Sequence, residues 1–183
     1  LTAAAWIGRI AAWTLLAFAW QRLVRAVNEE PWAAPLSAAI WVTLVETMNF
    51  AGEWVVGGVE AKCFAYGLVL WGLADVARGR WKTPWMWFGM ASAFHVLVGA
   101  WAVLAALATW ATEPQPRRTP FQLMLPGMLL GGVLSLPGLL PALALERGAD
   151  PAVADAAAQI YVFHRLPHHL APLSLPSDEL QAR

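Results

Sequence analysis

The chain holds 183 residues, 59% of them hydrophobic, with a mean hydropathy of +0.53 and only 13% charged. A soluble domain carries roughly 25% charged residues, so an ordinary soluble globule is ruled out. Twelve acids balance twelve Lys plus Arg, and a net charge of zero lacks the positive field on which nucleic-acid binding relies. No nucleic-acid partner is expected.

Charges are costly at mid-bilayer, at about 2.5–3.5 kcal/mol each on insertion scales, so the gaps between them mark candidate spans. Neither Thr83–Thr112 nor Thr119–Leu145 contains Asp, Glu, Lys or Arg. Each exceeds the ~20 residues that a spanning helix needs. The expected fold class is all-α, a polytopic transmembrane helix bundle with a short extramembrane C-terminal helix. A single cysteine, Cys63, excludes an intrachain disulfide and a Cys-based metal site. The chain begins at Leu1 and stops on a polar tail, Pro176 to Arg183, and reads as a portion of a longer protein. Its first segment lacks the basic lead of a signal peptide and is taken as a span.

Segment one, about residues 3–20, meets Arg22 and Arg25, which mark a cytoplasmic end. Segment two, about 36–50, follows Asn28-Glu29-Glu30-Pro31 and carries Glu46, a carboxylate suited either to a proton path or to pairing with another segment. Segment three, about 59–77, ends in the basic cluster Arg78, Arg80 and Lys82. Asp75 and Arg78, three apart at that helix end, read as a local pair. Residues 83–112 would extend about 45 Å as one helix, against a hydrocarbon core of ~30 Å. Two readings follow. A tilted span from about Phe88 to Trp110 buries His95, whereas a break near His95 gives halves 84–94 and 96–112 and returns Arg117 and Arg118 to the cytoplasmic side. Segment 121–145 carries Pro126, Pro137 and Pro141 with four glycines and is expected to be kinked or broken. Asp150-Pro151 reads as an N-cap with Pro at N1, opening a short helix to about Leu166. Tryptophans beside the basic cluster, Trp81, Trp85 and Trp87, fit an interfacial belt.

With the break, three polar groups share the outer side: Glu53, Glu60 and Lys62; His95; and His164-Arg165-Leu166-Pro167-His168-His169. Glu60 is the candidate catalytic acid, with Lys62, His95, Arg165, His168 and His169 as candidate substrate-binding residues. Arginine and histidine suit a phosphate through charge-assisted hydrogen bonds. Pro167 interrupts the i, i+4 spacing of a zinc pair and no metalloprotease Glu accompanies it, so no metal is expected. No Gly-rich phosphate loop, CxxC or nucleophile elbow is present, and no cofactor is expected.

The strings Gly52 to Lys62 (GEWVVGGVEAK) and Tyr161 to Leu170 (YVFHRLPHHL) resemble an uncharacterised family of bacterial polytopic membrane proteins, found especially in planctomycetes and cyanobacteria. More loosely, segment two through Arg118 resembles GT-C-type glycosyltransferases of the mannosyl- and aminoarabinosyltransferase kind. In those an acid opens a helix on the outer side, a basic cluster follows inside, and a broken helix pair meets outside. Glu60, the Arg78 to Lys82 cluster and the turn at His95 occupy the matching places. The resemblance implies a broken helix pair here, a polyprenyl-phosphate sugar donor among membrane lipids as partner, and a bacterial inner-membrane location. The catalytic acid that such enzymes place in their first outer loop is not recognisable in this chain, and they have no fixed histidine at the place of His95. Rival readings are a transporter, from Glu46 and the Pro/Gly-interrupted last segment, and a non-catalytic scaffold.

Overall fold

A computed structural model describes residues 2–47, 55–56, 58–148 and 150–165. Among these residues, seven α-helices follow one another: α1 (Thr2–Val27), α2 (Ala33–Thr47), α3 (Ala61–Ala77), α4 (Pro84–Phe94), α5 (Val96–Thr112), α6 (Phe121–Gly148) and α7 (Pro151–Gln159). A π-helical turn, Ile160–Arg165, extends α7. The described residues contain no strand, and the fold is all-α.

The helix ends follow local chemistry. α3 stops in a Schellman motif: the Gly79 amide donates to the Val76 carbonyl at 2.8 Å and the Arg80 amide to the Asp75 carbonyl at 2.8 Å. Gly79 adopts φ +68°, a left-handed conformation open to glycine without a Cβ penalty. Pro84 then opens α4 at a position where no amide is needed. The next helix breaks at His95, which is extended (φ −149°, ψ 103°) and caps α5 by accepting the Val98 amide on Nδ1 at 3.4 Å. At α7, Asp150 accepts the Ala152 amide at 2.8 Å with Pro151 in the first turn, an N-cap as its sequence suggests.

Close contacts set the helix directions. Gly8 faces Val59, Gly67 faces Leu15, and Arg22 reaches Asp75, so α1 and α3 run parallel. Trp20 stacks on Trp41 at 4.9 Å and donates to Ser37, which makes α2 antiparallel to α1. Phe64 stacks on Phe94 while Trp71 meets Trp87, so α4 returns antiparallel to α3. α5 folds back on α4, with Gly99 against Ser92 and Trp81 Nε1 donating to Glu113 Oε1 at 3.1 Å. Gly127 lies on the Lys82 carbonyl, Gly131 on Trp85 and Gly138 on Ser92, so α6 runs parallel to α4 with the two backbones in contact.

These directions define two ends. The first gathers Arg22, Arg25, Arg78, Arg80, Lys82, Arg117 and Arg118, seven of the twelve Lys and Arg residues. The second holds the start of α3, the His95 turn and the end of α6. From Gly138, level with Ser92 and Ala93, α6 continues to Gly148, which carries it about 11 Å past the His95 turn. α1 overruns that turn in the same way, because its residue 15 is already level with Gly67.

Two expectations are corrected here. Trp81 and Trp85 are each 2% exposed and pack with Phe88, Ala102, Ala106 and Met124 as the main core. They are core residues and not a belt: Trp85 Nε1 donates to the Trp81 carbonyl at 2.7 Å, so a buried indole loses no hydrogen bond. Second, α6 is one uninterrupted helix despite Pro126, Pro137 and Pro141. Each proline still removes one amide donor, and the small residues of the helix are seated on the backbone of α4.

Candidate functional site

At the His95 end, Glu60 is the extended N-cap of α3 (φ −129°, ψ 155°), exposed, and its carboxylate makes no capping bond. Lys62, two residues into the helix, is half-buried. The Phe64–Phe94 stack sets the first turn of α3 beside the last turn of α4, so Glu60, Lys62 and His95 lie on one end of the bundle. His95 has its Nδ1 occupied by the Val98 amide. As an acceptor, that nitrogen leaves Nε2 to carry the proton in the neutral ring. His164 is exposed in the π-helical turn, beyond a helix with no buried residue. The Arg165 and Glu46 side chains, and Glu53, His168 and His169 altogether, lie outside the described residues, so the expected convergence of the histidine cluster on Glu60 has no geometry to report. Among the described residues no group of three or more His, Cys, Asp or Glu is arranged to hold a metal ion.

Sequence reasoning missed Arg9. It lies within the apolar run of α1, its guanidinium 5.3 Å from the Trp6 ring centroid, and its Nε is buried without a hydrogen-bond partner. The signal was present as a lone basic residue amid Ala, Ile and Trp. Gly8 against Val59, and Trp13 Nε1 donating to the Val56 carbonyl at 3.2 Å, place Arg9 at the level of the approach to α3, beside Glu60 in height along the bundle.

The opposite end is built on Asp75, only 1% exposed. Its Oδ1 accepts from Arg22 Nη2 at 2.6 Å; its Oδ2 accepts from Thr83 Oγ1 at 2.7 Å and Trp87 Nε1 at 3.2 Å. Arg22 also donates to the Trp71 carbonyl at 2.5 Å and lies 5.1 Å over the Trp71 ring. Asp75 is therefore not the local partner of Arg78, whose guanidinium instead donates to the Ala74 carbonyl at 3.2 Å and the Arg22 carbonyl at 3.0 Å. One carboxylate thus joins α1, α3 and the entry to α4. Both oxygens are engaged, by three donors in all, which suits a fixed structural ion pair better than a reacting group. Nearby, Arg118 caps α5 by donating to the Glu113 carbonyl at 3.1 Å, its guanidinium 5.4 Å from the Trp110 centroid. The second oxygen of Glu113, Oε2, is buried without a hydrogen-bond partner.

Among the described residues two helical stretches, Ala3–Val27 and Phe121–Leu145, are long and apolar enough to cross a membrane by length and composition. Comparison with known proteins finds no matching family model, curated protein or solved structure.

Proposed function

We propose that this chain is a polytopic bacterial inner-membrane protein, with α1–α6 as the embedded bundle, the basic end in the cytoplasm and the His95 end facing outward. The observation that carries this reading is the break at His95, which brings Arg117 and Arg118 to the same end as Arg78, Arg80 and Lys82. The positive-inside rule then holds for every loop in that group. Supporting it, only 6% of the apolar window of α6 is buried inside the bundle, leaving Leu129, Val133 and Leu140 on an outer apolar face. At 11 residues α4 extends about 16 Å, half a hydrocarbon core, so α4–α5 acts as a re-entrant hairpin whose tip stops short of the outer ends of α1 and α6.

Within that topology, the activity we propose is transfer of a sugar from a polyprenyl-phosphate carrier, as in GT-C-type glycosyltransferases. Glu60 positions the acceptor or sugar, Lys62 and His95 face the phosphate, and Arg165, His168 and His169 complete the site from the C-terminal segment. What supports it is the common end shared by Glu60, Lys62 and His95. The transporter reading is weakened, since half of it rested on an interrupted last helix and α6 is continuous. A non-catalytic scaffold is favoured by one observation, that His95 is already used as a helix cap.

The test combines sidedness with chemistry. In a Cys63→Ala background, cysteines at Lys82 and Gln115 should label only from the cytoplasmic side and one at Ala152 only from outside. Glu60→Gln should then reduce sugar transfer to polyprenyl-linked or protein acceptors by about 100-fold, the scale of a misplaced substrate, with expression unchanged. Labelling of Lys82 and Gln115 from opposite sides would overturn the topology; full activity in Glu60→Gln would overturn the catalytic role while leaving the topology standing.

A further inference from the structure

α1 carries two arginines in contrasting circumstances. Arg22 is answered by the protein: an ion pair to Asp75, a bond to the Trp71 carbonyl, and an indole beneath it. Arg9, thirteen residues earlier and thus about 20 Å away along the helix axis, has the indole alone. Its guanidinium rests on Trp6, and its Nε is shut off from solvent with no acceptor. Glu60, at the same height, is exposed and does not pair with it. A guanidinium holds its charge under all ordinary conditions, so loss of the proton offers no escape.

We infer that Arg9 is the anchor of a binding site for the phosphate group of a lipid, seated against the outer half of α1. The inference rests on the membrane reading above and is independent of the glycosyl-transfer reading. In that frame Arg9 stands some five residues inside the outer end of the apolar stretch Ala3–Val27, about 9 Å from it, within snorkelling reach of the headgroup layer. Trp6 lies one turn further out and is 53% exposed while Arg9 is half-buried, so the pair borders the outer surface of α1. Trp6 fixes one face of the guanidinium, which leaves its edge N–H groups directed at whatever lies alongside. A lipid phosphate supplies what is lacking there: a delocalised negative charge whose oxygens accept the fork of N–H groups in pairs, its acyl or prenyl chain lying along the exposed side chains of Ile7 and Ile10. The same chemistry is offered by an ordinary anionic phospholipid and by a polyprenyl monophosphate.

The experiment is native mass spectrometry of the full chain in detergent, titrated with phosphatidylglycerol, with undecaprenyl phosphate, or with a neutral diacylglycerol. Wild type should retain one phosphate lipid and no diacylglycerol. Arg9→Gln should weaken retention at least tenfold, and Arg9→Lys, which keeps the charge but not the fork, should fall between. Preference for undecaprenyl phosphate over phosphatidylglycerol identifies a substrate-like lipid, and equal retention identifies a structural phospholipid. Unchanged retention in Arg9→Gln overturns the site, as does equal binding of diacylglycerol. Should Arg9→Gln not fold, Trp6→Ala serves in its place, with weakened retention again expected and wild-type retention overturning the site. Carbonate extraction of the same membranes reads the underlying topology separately: a chain that stays in the membrane yet binds no phosphate lipid overturns this inference alone.

Discussion

Asp75 shows how much one carboxylate can organise when both of its oxygens are engaged. Its donors come from α1, from the residue before α4 and from α4 itself, so removing it leaves the Arg22 guanidinium, its side chain 23% exposed, beside an apolar interior. Breaking a buried pair from one side costs about 3–5 kcal/mol, and the partial exposure of Arg22 places Asp75→Ala at the lower bound. Arg78→Ala loses bonds to two carbonyls that water can serve instead, about 1 kcal/mol. Thermal unfolding in detergent should therefore rank Asp75→Ala well below Arg78→Ala; equal losses would restore the local Asp75–Arg78 pair. The pairing was not legible in the chain. Spacing of three along one helix favours Arg78, and nothing in the sequence announces a partner 53 residues away. Arg9 was legible as a lone charge in an apolar run, but its lack of a counter-charge emerges only once its neighbours are placed.

At the level of elements, the length of residues 83–112 left a tilted span and a break both open, and the structure shows the break. Its location at His95 follows from the imidazole serving as an N-cap, a side-chain use that spacing suggests only loosely. Proline counting allowed a broken α6, where the helix is continuous, since it registers lost amide donors and not the packing that holds the helix together. That packing is glycine on backbone: a Cβ on Gly89 would collide with Gly131, and one on Gly131 with the Trp85 carbonyl. Backbone atoms cannot rotate aside as a side chain can, so Gly89→Val should cost at least the roughly 1–3 kcal/mol of an overpacked core and separate α4 from α6. Gly132, one position along α6, has open space where a Cβ would stand, with nothing within 4 Å, and Gly132→Ala should stabilise by roughly 0.5–1 kcal/mol through reduced freedom of the unfolded chain. A matched pair of melting curves checks both. Similar losses at the two sites would mean that the α4–α6 backbone contact does not form.

For the whole molecule, burial and charge divide space in the manner expected of a protein whose surroundings are lipid. The core is small and aromatic, centred on Trp81, Trp85 and Phe88, while large apolar side chains face outward on α1, α5 and α6. Water would make such a surface a liability, whereas hydrocarbon makes it neutral. The tryptophans among the described residues report on that difference, because they fall into distinct environments along one bundle. Trp101 is 69% exposed near the middle of α5, and Trp85 is 2% exposed against Phe88. In liposomes containing phospholipids brominated mid-chain, a variant retaining only Trp101 should lose most of its fluorescence, since bromine quenches on contact. A variant retaining only Trp85 should keep its emission, shielded by α4, α5 and α6. Trp32, in the turn before α2 at the basic end and 80% exposed, should be quenched by aqueous iodide and spared by bromine deep in the chains. If iodide instead quenches Trp101 and brominated lipid leaves it untouched, the apolar face of α5 meets water or another protein, and the membrane-embedded arrangement of the bundle is wrong.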